Sequence, residues 1–359
     1  MSVTMKNMRH ISPISRSKGL SLVELMVAIT LGLLLIAGVL QIYVGSKATY
    51  RAQDALSRLQ ENQRFAMNLL ATNIRPAGYA GCLNVKDKSS VRVIANPPTP
   101  TINASTAIQG HENKGGQSWS PNLPTGITQV LDDTDVLVLQ HGGTCGAKLT
   151  GNMGTTNANI QINADNSCGF TPGEAILITD CSASDLFRAN NVSEGTLTTT
   201  IAHSSAANTA TDGTNSNFLS KPYTTDSEIL KFTSVAYFIR NGVSGTPSLW
   251  RYDMASTASG SNPVELVEGV ENLQVLYGED AGADGEADQY VVADAVGDWA
   301  DVVSVRVTLL FRTIETVNTV SQTYSFEYDV GASSKDYTDR FSRQQTTMTI
   351  DLRNKGSYL

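Results

Sequence analysis

The chain opens with one long apolar segment. Residues 20–44 read LSLVELMVAITLGLLLIAGVLQIYV, in which Glu24 is the only charged residue. As an α-helix these residues measure about 37 Å, which exceeds the roughly 30 Å of a bilayer's hydrocarbon core. Such a segment with basic residues before it keeps its N-terminal side in the cytoplasm. The pattern therefore predicts one membrane-spanning helix, with the rest of the chain exported. The basic residues in question are Lys6, Arg9, Arg16 and Lys18.

Helical periodicity continues behind this segment. Between residues 45 and 75, apolar residues recur at spacings of three and four with basic residues between them, as in an amphipathic helix. Pro76 and Gly78 end the pattern. We expect one continuous N-terminal helix, with a membrane-spanning part over 20–44 and an amphipathic part over 45–76. Its apolar stripe would pack under a folded head.

The head, residues 77–359, is dominated by strand patterns. Residues 90–130 and 182–225 are instead rich in Ser, Thr, Asn, Gly and Pro, and they predict long loops or short edge strands. The fold class predicted is α+β, with one long N-terminal helix packed on antiparallel sheet. Segments rich in Val, Ile, Leu, Phe and Tyr, or alternating apolar and polar, lie at 135–140, 175–179, 229–240, 248–254, 273–277, 302–312 and 345–352.

Composition and charge narrow the function. The chain has 359 residues and a net charge of −8, and because the first 19 residues carry four basic residues and no acid, the remainder stands at −12. Binding to nucleic acid needs a clustered basic surface, so we expect no direct nucleic-acid binding. Neither GxSxG, HExxH nor a P-loop occurs. With His111, His141 and His203 all in Gly-, Ser- and Thr-rich surroundings, we expect no enzymatic activity.

The place of Gly19 distinguishes this N-terminus from an ordinary secretory signal. A secretory signal has its cleavage site after the apolar region, whereas Gly19 precedes it, so cleavage there leaves the helix on the mature chain. Glu24 then lies five residues past the cut, where a charge within lipid costs about 3 kcal/mol. Two interpretations stay open. The carboxylate either snorkels or is protonated near the helix end, or it pairs with the free amine of a processed residue 20 on a neighbouring subunit.

The segment Lys18-Gly19-Leu20-Ser21-Leu22-Val23-Glu24-Leu25 resembles the class III signal of type IV pilins and type II secretion pseudopilins. The resemblance implies that a prepilin peptidase cuts between Gly19 and Leu20, that Leu20 is then N-methylated, and that Glu24 guides assembly into the filament. One position departs from the family pattern, because the first mature residue is usually Phe or Met and here it is Leu20.

Four further segments lie at Arg75–Cys82, Thr179–Phe187, Trp299–Arg306 and Leu352–Asn354, and they resemble the PilW family of minor pilins. The resemblance implies a subunit that primes pilus assembly at the inner membrane, and retention at the pilus tip is a further expectation. Its implied partners are the prepilin peptidase, other minor pilins, the major pilin and the inner-membrane assembly platform. The head would lie in the periplasm and later in the extracellular pilus. The alternatives are a tip-located adhesion module, carried by the polar loops, and a type II secretion minor pseudopilin, although those of the J type are usually much shorter.

Four cysteines follow the helix: Cys82, Cys145, Cys168 and Cys181. An even number in an oxidising compartment predicts two disulfides, and the three connectivities stay open. Zinc is the alternative, but the chain has no CxxC pair, and His141 is the only histidine near a cysteine at ligand spacing. A bridge from Cys82 would tie the long helix to the head.

An acidic segment carries Asp280, Asp284 and Asp288, with Gly285 after the second aspartate. Calcium takes six to eight oxygen ligands from tight, glycine-containing loops, so structural calcium at these three carboxylates is one interpretation. The segment is not an EF-hand, since its third and twelfth positions lack a side-chain carboxylate. The other interpretation is a solvated turn between strands at 273–277 and 289–293. No other cofactor is expected.

Overall fold

The computed structural model describes residues 19, 21–82, 91–96, 105–210, 217–255, 262–327 and 334–354. The predicted leader before Gly19, and Leu20 itself, therefore lie outside the described residues. The chain divides into two compact units, residues 1–54 and 55–359.

One helix, α1, runs from Leu22 to Ile74. In the first unit its apolar side chains are exposed, with Leu22, Leu34 and Ile42 at 74%, 70% and 72%. By length and composition the helix can cross a membrane. An apolar surface of this extent is stable only when lipid or partner helices cover it.

In the second unit, α1 buries one face against the head. Leu59, Ala66, Leu70 and Ile74 are at most 3% exposed and follow the spacing of a single helical stripe. The helix ends just before Pro76, as the sequence predicts, because a residue preceding proline is disfavoured in the helical conformation.

The head is built from eighteen described strands. All seven strands predicted from the sequence are present, with ends shifted by at most a few residues except for β4, which runs on to Lys148. In chain order the strands are β1 (Val91–Val93), β2 (Ile108–Asn113), β3 (Trp119–Ser120), β4 (Val136–Lys148), β5 (Ile160–Asn163), β6 (Ala175–Asp180), β7 (Ala183–Arg188), β8 (Asn191–Glu194), β9 (Thr198–Ala202), β10 (Glu228–Asn241), β11 (Pro247–Asp253), β12 (Val264–Glu268), β13 (Val270–Glu279), β14 (Gln289–Val291), β15 (Val302–Arg312), β16 (Gln322–Glu327), β17 (Ser334–Asp339) and β18 (Arg343–Asp351).

These strands form two main sheets and two small ones. The large sheet has the order β1-β7-β6-β10-β4-β2-β3, with β11 added on β10 and β12 on β11. The second sheet has the order β14-β13-β15-β18. Strands β5, β9 and β8 form a third sheet, and β16 and β17 form a hairpin. Every pair is antiparallel except β1 with β7.

The largest core cluster joins the helix to both main sheets. Leu70 and Ile74 of α1 belong to the same buried cluster as Tyr237 of the large sheet and Leu309 and Ile350 of the second sheet. All five are at most 2% exposed. The protein is thus an α+β fold with one long N-terminal helix and a mostly antiparallel head, as the sequence predicts.

The structure differs from expectation in residues 182–225. This region contains β7, β8 and β9, and β7 is an interior strand between β1 and β6. The polar sequence of this region does not indicate an interior strand. Asp185 is nevertheless buried, and its carboxylate accepts hydrogen bonds from Ser220 and from the Tyr223 hydroxyl, the latter at 2.7 Å. Burial raises the pKa of Asp185, although these hydrogen bonds oppose the rise. Residues 211–216 of the region lie outside the described residues.

The other polar region, residues 90–130, also contains strands. It holds β1, β2 and β3, of which β2 pairs with β4 in the large sheet. His111 and Glu112 of β2 are both at least nine-tenths buried, and β2 lies between β4 and β3. Polar residues here again form part of an interior strand, where the sequence predicts a long loop or a short edge strand. Residues 90 and 97–104 lie outside the described residues.

Candidate functional site

The start of α1 is fixed by a pair of reciprocal hydrogen bonds. The Ser21 backbone N–H donates to Glu24 Oε2 at 3.0 Å, and the Glu24 N–H donates to Ser21 Oγ at 3.2 Å. This arrangement is a capping box, which satisfies two amides at the end where a helix has no partners for them. It also places the Glu24 carboxylate where the helix dipole favours a negative charge.

The sequence analysis missed this role of Glu24. The signal was present, since serine three residues before glutamate at the edge of an apolar run is the pattern of a capping box. The box uses Oε2, and a carboxylate accepts hydrogen bonds through both oxygens. Glu24 can therefore hold the helix start and still accept an ammonium group from another chain.

Gly19 is exposed, and no described atom lies within 4 Å of the point where a side chain would begin. Gly19 itself is thus accessible. Leu20, the other side of the predicted cleavage site, lies outside the described residues, so its methylation stays a prediction.

The four cysteines form two disulfides, Cys82–Cys181 and Cys145–Cys168. The prediction of two bridges is confirmed. The zinc alternative is wrong, because each of the four sulfurs is bonded to the sulfur of another cysteine. Cys82 lies eight residues after the end of α1, and Cys181 lies in the turn between β6 and β7. The first bridge therefore ties the helix end to the large sheet.

The turn that carries Cys181 is held by Asp180. Its Oδ1 accepts hydrogen bonds from the Ser182 and Ala183 amides, both at 2.9 Å, and its Oδ2 pairs with Lys221 Nζ. Burial pushes the pKa of Asp180 upward, but the hydrogen bonds from Lys221, Ser182 and Ala183 outweigh it and hold the pKa well below its ordinary value. Asp180 therefore stays ionised and keeps the turn in place.

The structure brings together the segments whose sequence resembles PilW. The Gly81 position allows no side chain, because a Cβ there would lie 2.6 Å from Thr179 Cγ2, and its φ is +74°. The Arg353 N–H donates to the Arg75 carbonyl at 3.2 Å, and Asn354 Nδ2 donates to the Pro76 carbonyl at 3.2 Å.

The last segment also contacts the third one. The Leu352 N–H donates to the Val303 carbonyl at 2.8 Å, and Trp299 packs edge-on against Tyr277 with the ring centroids 4.7 Å apart. The four segments thus meet around the end of α1. We call this region, formed by 75–82, 179–187, 299–306 and 352–354, the helix-end junction.

The acidic segment forms the turn between β13 and β14, as one interpretation of the sequence predicts. The Asp280 carboxylate accepts hydrogen bonds from the backbone N–H groups of Asp284 and Gly285, at 3.1 and 2.9 Å. Asp288 Oδ2 accepts two further amides of the turn, at 2.8 and 3.0 Å. These carboxylates therefore stabilise the turn by accepting hydrogen bonds from the backbone N–H groups of the turn itself.

In the part of the chain that the structure describes, no group of three His, Cys, Asp or Glu side chains is placed to hold a metal ion. Calcium at Asp280, Asp284 and Asp288 stays a prediction, and the contacts within the turn account for two of these carboxylates without it.

Two family models match the chain. Residues 14–40 match the prokaryotic N-terminal methylation motif, which is the prepilin signal of type IV pilins. The matched residues include Gly19, the capping box of α1 and most of its apolar part. The N-terminal part of the chain is therefore similar to a prepilin signal.

The second model is more specific. Residues 236–354 match type IV pilus-assembly protein W, from the middle of β10 to the last residues that the structure describes. The matched residues contain the second sheet and two of the four segments of the helix-end junction. The segments at 75–82 and 179–187 lie outside the match.

A solved structure is also similar to this chain. A type IV-like pilin from Thermus thermophilus aligns over 84% of this chain and 98% of its own, with 10% identity and a TM-score of 0.35. At this TM-score the similarity supports no argument about function. No curated protein sequence matches the chain.

Proposed function

We propose that the protein is a minor pilin that primes type IV pilus assembly at the inner membrane and then stays at the pilus tip. The observation that carries the proposal is the presence in one chain of a prepilin signal and a PilW domain. The proposal includes a head that lies in the periplasm until the subunit enters the filament. Since the pilus-assembly family is structural, the proposed role is non-catalytic.

The mechanism begins with processing at Gly19. A prepilin peptidase cuts between Gly19 and Leu20, which leaves Ser21 as the second residue of the mature chain and α1 intact. The new amino group is then methylated. Residues 20–44 hold the subunit in the inner membrane until it enters the filament, where the helices of the major pilin and of other minor pilins replace lipid around them.

Glu24 guides this transfer. Its carboxylate caps its own helix through Ser21 and pairs with the amine of a neighbouring processed subunit. In lipid an unpaired charge is costly, so the pair forms most favourably when two helix starts lie at the same depth. This requirement sets the axial register of the incoming subunit.

Mass spectrometry of the chain from native membranes, with and without an active prepilin peptidase, tests the proposal first. A mature chain that starts at Leu20 only when the peptidase is present supports it, and a chain that keeps residues 1–19 in both conditions contradicts it. Pili per cell in a deletion strain, with and without the complementing gene, then test priming. Immunogold labelling of the head tests the tip position.

The alternative of a tip adhesion module depends on the polar region 182–225. Deleting it is not informative, because β7 and β9 contribute to the core. Leu197 at the β8–β9 hairpin is 82% exposed, so Leu197→Ser changes the surface alone. Reduced binding to surfaces with an unchanged number of pili would favour adhesion. A type II secretion pseudopilin would instead affect protein secretion and leave pili unchanged.

A further inference from the structure

Residues 217–223 form neither helix nor strand, but they are bonded to two different sheets. On the side of the large sheet, Asp185 Oδ2 of β7 accepts hydrogen bonds from the Ser220 N–H and hydroxyl, at 2.9 and 2.6 Å. The same oxygen accepts from the Tyr223 hydroxyl at 2.7 Å. Leu219 and Tyr223 are themselves buried. We call residues 217–223 the strap.

A histidine of the third sheet holds the other end of the strap. His203 directly follows β9 and is 2% exposed. Its Nδ1 lies 3.0 Å from the carbonyl oxygen of Asn217 in the strap. Its Nε2 lies 2.8 Å from the carbonyl oxygen of Ala158, just before β5. Both ring nitrogens of one buried imidazole therefore face hydrogen-bond acceptors.

The protonation state of this ring decides how many of the two contacts are hydrogen bonds. A neutral imidazole has one N–H, so its other nitrogen presents a lone pair to a carbonyl oxygen. A protonated imidazole donates from both nitrogens, and hydrogen bonds from a charged donor are stronger than neutral ones. The Phe187 ring, whose centroid lies 5.5 Å from that of His203, also attracts a cation. The surroundings of the ring thus suit the charged form.

The elements packed around the ring carry few ionisable groups. β5, β9 and the loop at 153–159 have none. β8 has Glu194, which pairs near the start of β9, whereas His203 follows its end. β7 has Asp185, which lies two residues from Phe187 and hence on the same face of the strand. Among the described residues neither ring nitrogen is bonded to a carboxylate, so the two carbonyl contacts distinguish the charged ring from the neutral one.

The acids that hold the strap do not oppose this distinction. A proton on Asp185 can reside on Oδ1, which accepts no hydrogen bond and lies 3.9 Å from Arg92 of β1. Its Oδ2 then continues to accept hydrogen bonds from the strap. Asp180 pairs with Lys221 of the strap and stays ionised. The contacts made by both acids therefore persist in mildly acidic conditions.

We propose that the strap is a pH-sensitive switch that joins the third sheet to the large sheet more firmly when His203 is protonated. Protonation adds one hydrogen bond in the folded chain, so its stabilising effect is present at low pH and is lost as the pH rises. Histidine changes charge between about pH 5 and 8, and the switch should operate in that range. The inference goes beyond the proposed function, because it concerns the head alone and does not require that the chain enter a pilus.

Amide hydrogen exchange of the full-length chain in detergent tests the switch, at about pH 5.5 and about pH 7.5. The rates are corrected for the intrinsic effect of pH on exchange. The probes are the Leu219 N–H, bonded to the Thr156 carbonyl at 2.9 Å, and the Ser220 N–H. We expect both to be protected roughly tenfold more at the lower pH, as for one hydrogen bond from a charged group. The amides of β15 in the second sheet serve as the reference that does not change.

The variant His203→Gln removes the titration. Glutamine keeps a side-chain N–H donor but does not change charge, so the strap should then be equally protected at both pH values. The matched control is His111→Gln. His111 is also buried, but its Nε2 has no hydrogen-bond partner, and burial lowers its pKa. This control should leave the pH dependence of the strap unchanged.

A second variant separates His203 from Asp185. Asp185→Asn keeps an oxygen that accepts from the strap but cannot titrate, so the pH dependence should persist in it. If Asp185→Asn abolishes the pH dependence and His203→Gln does not, Asp185 is the switch and the inference is overturned.

Nitrogen NMR of the unaltered chain, labelled at histidine, keeps the test independent of how well a His203 variant folds. The signal of His203 is assigned by the loss of the others in His10→Gln, His111→Gln and His141→Gln. We expect both ring nitrogens to carry protons at about pH 5.5 and one of them at about pH 7.5. The same protonation state at both pH values, or a strap equally protected at both, would overturn the inference.

Discussion

Removal of the Cys82–Cys181 bridge should destabilise the head more than removal of Cys145–Cys168. The bridges join residues 99 and 23 positions apart, and the shorter loop is nested within the longer one. In the chain-entropy description, the nested arrangement shortens the outer loop to about 77 residues, which corresponds to about 4.5 kcal/mol. The inner loop corresponds to about 3.4 kcal/mol, so the expected difference is about 1 kcal/mol.

The assay compares Cys82→Ser/Cys181→Ser with Cys145→Ser/Cys168→Ser in urea unfolding of the detergent-solubilised chain. Trp119 and Trp250 are buried and report on the large sheet. Both double variants expose the same chemistry, so they serve as matched controls for each other. If the inner pair costs clearly more, then native contacts at each bridge outweigh loop length, and the entropic reasoning is wrong.

Four further predictions concern ion pairs and local hydrogen bonds. The Arg343 side chain is 1% exposed and bonds to both oxygens of Glu271 at 2.6 and 3.1 Å. The change Arg343→Met should therefore lower the free energy of unfolding, measured by chemical denaturation, by about 3–5 kcal/mol, and a loss below about 1 kcal/mol would contradict this. Hydrogen bonding to Arg343 lowers the pKa of Asp339, so the ionised carboxylate stabilises the fold at pH values above its ordinary pKa. This contribution is lost as the pH falls through the pKa of the folded state. Asp339→Asn should therefore flatten the acid side of a plot of Tm against pH, and an unchanged slope would argue against this reasoning. Asp280→Asn should lower Tm in the presence of EDTA, because its carboxylate accepts two backbone amides, whereas an effect seen only after calcium is added would favour a metal site. Ser21→Ala should reduce subunit incorporation into pili less than Glu24→Ala does, because it removes only part of the capping box and lowers helix stability by about 1 kcal/mol. Equal losses of incorporation would show that capping is the main role of Glu24.

The sequence predicted the elements whose signal is local. The end of α1 followed from Pro76, and the strands at β10, β13 and β15 followed from their runs of buried apolar residues. The capping box was also local and could have been found, because Ser21 and Glu24 have the required spacing.

What the sequence could not predict depends on contacts between distant residues. β7 is polar in sequence, and only the placement of Ser220 and Tyr223 beside Asp185 explains why it is buried. The pairing of Cys82 with Cys181 depends on the register between β6 and β7. The contact of Arg353 with Arg75 joins residues near opposite ends of the head, and no spacing rule connects them.

The helix-end junction has a mechanical consequence. A subunit held by its helix and pulled by its head bears tension where α1 ends, and at that point the chain enters the large sheet through a covalent bond at Cys82. The hydrogen bonds from Arg353 and Asn354 connect the same point to the last strand of the second sheet. The load is therefore divided between both sheets within a few residues of the helix, and unravelling of the head beyond Cys82 from its N-terminal side requires the disulfide to break.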